Sequence, residues 1–265
     1  MTKRKRLLTL GAILLSFSLV MAGCGTKDED SKTGTAGEDG KITKLIVGTD
    51  ATYAPMESMD ASGNIVGIDI DIVNAIAEEL GIEVEYKNYG WEPLFPAVDS
   101  VEVDFAVSSI TITEERQKSY DFTDPYFVAN QLILVPEDST VENFQDLKDL
   151  RVAVQINTTG HIVTQGLQGE TSTNIRAIET MPLAITEMIN GNADAAVGDN
   201  AVVIEYKTQN PNVKVKTVED DSFEKEFYGL MVKRGNKEVL DLLNKGIQAV
   251  KDNGKLKEIT GFDVE

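Results

Sequence analysis

The 265-residue sequence carries 25 basic and 44 acidic residues, a formal net charge of −19. That acidity argues against nucleic acid, which needs a basic footprint, and against electrostatic adsorption to anionic lipid. A single cysteine excludes an intramolecular disulfide, and a single histidine excludes a zinc site built on several histidines.

The chain opens with Lys3, Arg4, Lys5 and Arg6, an apolar run from Leu7 to Val20, and Met21-Ala22-Gly23-Cys24. A basic start, a short apolar region and small residues before a cleavage point predict a secretory signal over residues 1–23, not a spanning helix. Its removal takes away four basic residues and no acid, so the remaining charge is −23. Cys24 sits as in a bacterial lipoprotein signal, which it resembles apart from Met21 in place of the usual Leu. The resemblance implies a lipidated N-terminus on the extracytoplasmic face of the cell membrane. Residues 24–41 then read as the lipidated cysteine and a flexible tether, because Gly25 to Lys41 holds one Ala and no larger apolar residue.

From residue 42 the pattern is strand–helix alternation, which predicts an α/β fold with mostly parallel sheets. Leu45–Thr49 reads as a buried strand ending at Asp50, and Ser62-Gly63-Asn64 as a turn. Ile72, Val73, Ile76 and Leu80 lie at helical spacing, with Gly81 placed as a C-cap and Asp69 and Asp71 suited to the helix start. Residues 82–86 alternate as a strand, and a helix is expected from Glu92 to Ser100 behind Trp91. Strands are predicted at 103–107, 131–135, 151–155, 174–178, 193–197, 213–218 and 228–232. Helices are predicted at 144–150, 182–189, 202–208 and 237–253, the last capped by Gly254, with another opening at Asn157-Thr158-Thr159-Gly160.

Residues 108–116, Ser-Ser-Ile-Thr-Ile-Thr-Glu-Glu-Arg, follow a buried strand and precede a brief helix. This places Ser108, Ser109, Thr111 and Arg116 at the carboxyl edge of a sheet, where open α/β folds bind ligands. A guanidinium fits a carboxylate with two parallel bonds, and hydroxyls both donate and accept. The competing explanation is capping: Thr111 and Glu114 have capping-box spacing, Thr113 suits an N-cap, and Arg116 would make a surface ion pair.

No phosphate-binding loop, dinucleotide glycine pattern or metalloprotease motif is present, so no cofactor and no metal are expected. His161 lacks a nucleophile elbow and fits a surface or capping role, and no catalytic residue is expected.

Asp50 with Tyr53-Ala54-Pro55, Gly67-Ile68-Asp69-Ile70-Asp71, the 108–116 run, Asp121-Phe122-Thr123-Asp124-Pro125-Tyr126, Asn157-Thr158-Thr159-Gly160 and Gly198-Asp199 occur in one order over residues 43–262. Together they resemble the extracellular solute-binding proteins of polar amino-acid ABC importers, family 3. The resemblance implies a two-lobed, type II periplasmic-binding-protein-like fold with two crossover strands as hinge. The first lobe would comprise 42–127 and 228–265, and the second 128–227. It also implies that Arg116 pairs with the ligand α-carboxylate. Thr159, with backbone N–H groups around Thr158 and Gly160, would hold the same group. Asp199 would take the α-ammonium. Ser109 and Thr111 would add hydrogen bonds to the head group, Tyr53 and Trp91 would wall the side chain, and Asp50 would meet its distal end. Ser108 with Asp50 resembles members that take arginine, lysine or histidine. Asn157 stands where the family usually has Gly, and Met56 where it usually has Phe.

The implied protein is a monomeric, lipid-anchored binder that captures a basic L-amino acid and hands it to a membrane permease. Glutamine or cystine is the alternative ligand. The rivals from other classes are a dehydratase on the same fold and a ligand sensor docking on a receptor kinase.

Overall fold

The computed structural model describes residues 34–36 and 40–264. The predicted leader, Cys24 and most of the tether lie outside them. Within the tether span, Thr35–Ala36 forms a strand, β1, pairing antiparallel with β2 (Ile42–Thr49), and the Gly34 N–H donates to Asp104 Oδ1 at 2.7 Å. That stretch is ordered where a flexible tether was expected. Edge pairing uses backbone groups, so it needs none of the apolar side chains the segment lacks.

A three-stranded ribbon follows: β3 (Thr52–Tyr53), β4 (Glu57–Met59) and β5 (Ile65–Val66), with the turn at Ser62-Gly63-Asn64 between β4 and β5. Next comes α1 (Ile68–Leu80), whose Ile72, Val73 and Ile76 are buried. Gly81 ends it in the left-handed conformation, its N–H donating to the Ala77 and Glu78 carbonyls. At the other end Gly67 has φ 138°, and a Cβ there would lie 2.2 Å from the Met56 carbonyl oxygen. Both the conformation and the space demand glycine. Gly67→Ala is therefore expected to cost a few kcal/mol, lowering Tm by roughly 6–12 °C in calorimetry. An unchanged melting curve would show that the α1 entry can move aside.

The chain continues through β6 (Glu83–Asn88), α2 (Trp91–Asp99) and β7 (Phe105–Ala106). Beyond the 108–116 stretch, one brief helix was expected from Gln117 into a turn. Instead α3 (Glu114–Gln117) closes after one turn and β8 (Tyr120–Phe122) follows. Tyr120 and Phe122 suit a strand, and pairing to a segment over a hundred residues away overrides the local pattern.

β9 (Phe127–Ala129) and β10 (Gln131–Pro136) lead to a 3₁₀ turn at Phe144–Leu147, shorter than the predicted helix. Then come β11 (Val152–Gln155), α4 (Thr159–Gln168), β12 (Ile175–Ile178), α5 (Met181–Ile189), β13 (Ala195–Asp199), α6 (Asn200–Gln209) and β14 (Val215–Val218). The single strand expected at 228–232 is two: β15 (Glu226–Tyr228) pairs with β9, and β16 (Met231–Lys233) enters a different sheet. α7 (Lys237–Asp252) ends as expected, with Gly254 in the left-handed conformation just past it, and the same glycine opens a further helix that was not expected, α8 (Lys255–Thr260).

The strands form two large sheets. The first runs β1-β2-β7-β16-β8, with β6 beside β2; the second runs β12-β11-β13-β10-β14. Both are mixed, not mostly parallel. β16 lies antiparallel to β7 and β8, and β10 antiparallel to β13 and β14. The cause is topological: each of these strands is the first after the chain has crossed between sheets, so it enters without a βα crossover. Between the sheets lies the β9–β15 pair. In the first sheet, one face packs on α1, α7 and α8 through Leu45, Val47, Ile76 and Ile247, and the other on α2 through Leu94 and Val98. The second sheet is covered by α5 and α6 on one face and by α4 and the 3₁₀ turn on the other. Two lobes, each a sheet flanked by helices, are the result.

Candidate binding cleft

Four strands of the two large sheets point their carboxyl ends toward one cleft. Asp50 follows β2, Ser108 and Ser109 follow β7, Gln155 ends β11 and Asp199 ends β13. All of them line one enclosed cleft together with Tyr53, Glu57, Trp91, Thr111, Arg116, Thr158 and Thr159. The ten predicted binding residues are thus brought together. Their own side chains fill the cleft so far that it has room for about one water.

The lobes meet across it. Gln155 Nε2 donates to Asp50 Oδ2 at 3.3 Å, and Arg116 Nη2 to the Asn157 carbonyl at 3.3 Å. At the rim Asn157 Nδ2 donates to Glu92 Oε1 at 2.7 Å. Asn157 has φ 58°, the left-handed region in which Asn is the best tolerated residue after Gly. Ser109 on the opposite lobe has φ 48°. Strained residues of this kind collect at ligand sites, where the surroundings hold them.

Arg116 decides between the two readings of its stretch. Thr113 does cap α3, accepting from the Arg116 N–H at 3.1 Å. Thr111, however, makes no capping box with Glu114; its hydroxyl donates to Glu226 at 2.7 Å. The Arg116 guanidinium makes no surface ion pair either. Nη1 donates to the Thr111 carbonyl at 2.8 Å, and the group lies 5.3 Å from the Trp91 ring centroid and 5.8 Å from that of Phe95. Burial pulls its pKa below the ordinary arginine value, opposed by Glu226 and Asp199. It stays a cation, aimed into a cleft with no carboxylate in contact.

Residues 45–261 match the family model for bacterial extracellular solute-binding proteins, family 3. The chain belongs to that family. A probable histidine-binding protein of Neisseria gonorrhoeae is 34% identical over 251 residues, covering 94% of this chain and 92% of that protein. ABC transporter arginine-binding protein 1 of Escherichia coli K12 is 32% identical over 219 residues, 82% of this chain and 89% of its own. The crystal structure of the arginine-, lysine-, histidine-binding protein ArtJ from Geobacillus stearothermophilus superimposes with a TM-score of 0.80 at 42% identity, covering 84% of this chain and 97% of that one. The two-lobed fold and the amino-acid-binding class inferred from sequence agree with all three.

In this solute-binding protein the cleft carries two acidic groups of hydrogen bonds. Asp199 accepts from Gln131 Nε2 at 2.6 Å and from the Tyr228 hydroxyl. Burial and neighbouring Glu226 raise its pKa to about 6, against the donors Tyr228, Gln131 and Tyr53. Asp50 accepts from the Thr52 hydroxyl at 2.9 Å, and its N–H donates to Ser108 Oγ at 3.0 Å. Burial raises the Asp50 pKa, opposed by Thr52 and Gln155.

Beneath these lies a pair that the sequence did not single out. Ser108 Oγ donates to Glu57 Oε1 at 2.8 Å, while the Ser109 N–H and the Tyr126 hydroxyl donate to Asp69 Oδ2 at 2.8 and 2.9 Å. Glu57 and Asp69 are both fully buried. Burial and the charge of Asp69 lift Glu57 well above the carboxylate range, and Asp69 rises to about 6. Both shifts run toward the neutral form, as burial beside a second carboxyl requires. Asp69, expected as a charge suiting the helix start, is also a buried acceptor that holds the Ser109 backbone in place.

Thr158 caps α4, accepting from the His161 N–H at 3.3 Å, and Gly160 in the first turn leaves no room for a Cβ, which would meet Gln131 Oε1 at 2.8 Å. The helix start therefore presents bare N–H groups, suited to an anion. His161 Nδ1 accepts from the Asn157 N–H at 3.1 Å, and burial lowers its pKa. It serves the loop, consistent with the capping role expected of it.

Proposed function

We propose that this protein captures a basic L-amino acid, arginine, lysine or histidine, by closure of its lobes and delivers it to the membrane permease of an ABC importer. The observation that carries the ligand class is the charge of the cleft. Asp50 and Asp199 line it with one cation, Arg116, and Glu226 stands behind it on the Thr111 and Thr159 hydroxyls. A zwitterion's carboxylate uses Arg116 and the α4 start, and its ammonium uses Asp199. That leaves Asp50, half satisfied by Thr52 and Gln155, to meet a second positive group. The aromatic walls Tyr53 and Trp91 suit a cationic side chain as well. The homology to arginine- and histidine-binding relatives supports the same choice.

The lobes of this reading are residues 42–127 with 228–265, and 128–227, turning about β9 and β15. A lipid on Cys24 would hold the monomeric protein at the extracytoplasmic face. The cleft offers a binder's chemistry and not a catalyst's. His161 is engaged with Asn157, and Asp199, the acid raised to about 6, already accepts two hydrogen bonds.

Thermal unfolding of the purified protein against each amino acid tests this. Ligand at ~100 times Kd adds about 2.7 kcal/mol, a rise of roughly 5–11 °C at this size. The rise is expected with arginine, lysine or histidine, and Asp50→Asn is expected to reduce it for these far more than for glutamine. A rise confined to glutamine or cystine would overturn the basic ligand but keep the class. No rise with any amino acid would favour the dehydratase or the sensor.

A further inference from the structure

Glu226 was not among the predicted site residues, yet it draws hydrogen bonds from both lobes. Its Oε2 accepts from the Thr111 hydroxyl of the first lobe at 2.7 Å and the Thr159 hydroxyl of the second at 2.8 Å. Its Oε1 accepts from Gln131 Nε2 at 2.9 Å, the amide that also donates to Asp199 at 2.6 Å. Glu226 itself stands at the start of β15, a strand that joins the lobes.

We infer that Glu226 is a positioning residue that sets the polarity of the cleft, turning the hydroxyls of Thr111 and Thr159 into acceptors for the ligand α-ammonium. The inference rests on the amino-acid-binding reading above. The argument is one of hydrogen counting. A hydroxyl has one proton and two lone pairs, and a carboxylate offers lone pairs only. Thr111 and Thr159 therefore spend their protons on Glu226, and what each can offer the cleft is an acceptor. An ammonium, with three donors and no acceptor, is met well by such oxygens; a carboxylate is repelled. The α-carboxylate is left with Arg116 and the bare N–H groups at the start of α4, so Thr159 holds it through backbone and not through its hydroxyl. Gln131 extends the same device. Its amide nitrogen donates to Asp199 at 2.6 Å and Glu226 at 2.9 Å and also reaches the Thr159 hydroxyl oxygen at 3.2 Å, so it steadies the Asp199 carboxylate and leaves Thr159 one free lone pair for the cleft.

The device also closes the lobes. One carboxylate oxygen that accepts from both sides favours the state in which both hydroxyls reach it, so the closed form is supported before the ligand bridges it.

The test compares L-arginine with 5-guanidinopentanoate, which keeps the carboxylate and guanidinium but has no α-ammonium. Binding of both to the natural protein and to Glu226→Gln is measured by calorimetry. The amide can donate to one hydroxyl, which reverses that hydroxyl's proton. The expected result is a loss of at least about tenfold for L-arginine, with the analogue changed by less than about threefold. Thr111→Val, which removes one of the oriented hydroxyls, is expected to show the same selective loss and serves if Glu226→Gln does not fold. Equal losses for the two compounds, or none for either, would overturn the role of Glu226 while leaving the ligand class intact. Should the natural protein prefer glutamine, glutamine and its deaminated analogue replace the pair with the same expected outcomes. Failure of the natural protein to bind any amino acid would overturn the functional reading, and this inference with it.

Discussion

Arg116→Ala should lose binding by about two to three orders of magnitude. Removing one partner of a desolvated, hydrogen-bonded charge pair costs about 2–5 kcal/mol, and each 1.4 kcal/mol is tenfold. The position magnifies the effect. The guanidinium is held between the Thr111 and Asn157 carbonyls and against the Trp91 ring, so its fork is already oriented when a carboxylate arrives. Its loss leaves the ligand anion facing Asp199 and Glu226 with only backbone N–H groups as counterweight. Arg116→Lys keeps the charge but not the fork, and is expected to fall between the two. The ligand-dependent rise in Tm should vanish in Arg116→Ala. An alanine variant that binds within about threefold of the natural protein would take Arg116 out of the site.

The second large effect concerns Asp199 and carries a pH signature. Its folded pKa is about 6, above the ordinary carboxylate value of 3.8. Only the ionised form pairs with an ammonium, so affinity should fall as pH drops through 6, approaching about tenfold per unit below it. Asp199→Asn should weaken binding at pH 7.5 by about two orders of magnitude or more and flatten that slope. The free protein should respond in the opposite sense. A raised acid contributes stability that is complete below about pH 4 and lost as pH rises through 6, because the folded state then carries a buried charge it would sooner neutralise. At pH 7.5 free Asp199→Asn is thus expected to melt no lower than the natural protein, as found where a site is kept strained for function. Calorimetric titrations at pH 5 and 7.5 with melts of the free forms check both halves. Unaltered pH dependence in Asp199→Asn would move the titrating group elsewhere.

Of the ten predicted residues that the cleft brings together, Ser108, Ser109, Thr111 and Arg116 were legible in their own stretch, which follows a buried strand and sets a cation where a helix start disfavours one; Asp50, Tyr53, Trp91, Thr158, Thr159 and Asp199 came only through the family resemblance. Glu226, Gln131, Gln155 and Glu57 were not legible: Gln155 and Glu57 stand beside stretches that were read as site, but the partners that give all four their roles lie far off in the sequence. Glu226 gains its role only because β15 crosses beside β9, and Glu57 only because the ribbon β3–β5 folds it onto Asp69. Asp69 was read by its neighbours in sequence, as a charge at a helix start, when its partners Ser109 and Tyr126 lie 40 and 57 residues away. The elements missed follow the same rule. β8 and β16 are short, and they exist because they pair with each other and with β7. α8, just past the Gly254 that ends α7, was missed because a helix of six residues gives almost no periodic signal.

The placement of β16 bears on how the chain acquires its shape. It lies inside the first sheet, between β7 and β8, yet it comes more than a hundred residues after either of them. The second sheet, by contrast, is built from one uninterrupted run, β10 to β14. During synthesis that run can assemble while the earlier strands still wait for their central member. Until residues 231–233 arrive, β7 and β8 present open edges, the feature that invites pairing with other chains. Joining them requires closing a loop of more than a hundred residues, a non-local step of the kind that slows folding. The first half of the protein is in this sense finished last, and a chain truncated before Met231 would keep an intact second lobe beside a first one that cannot close.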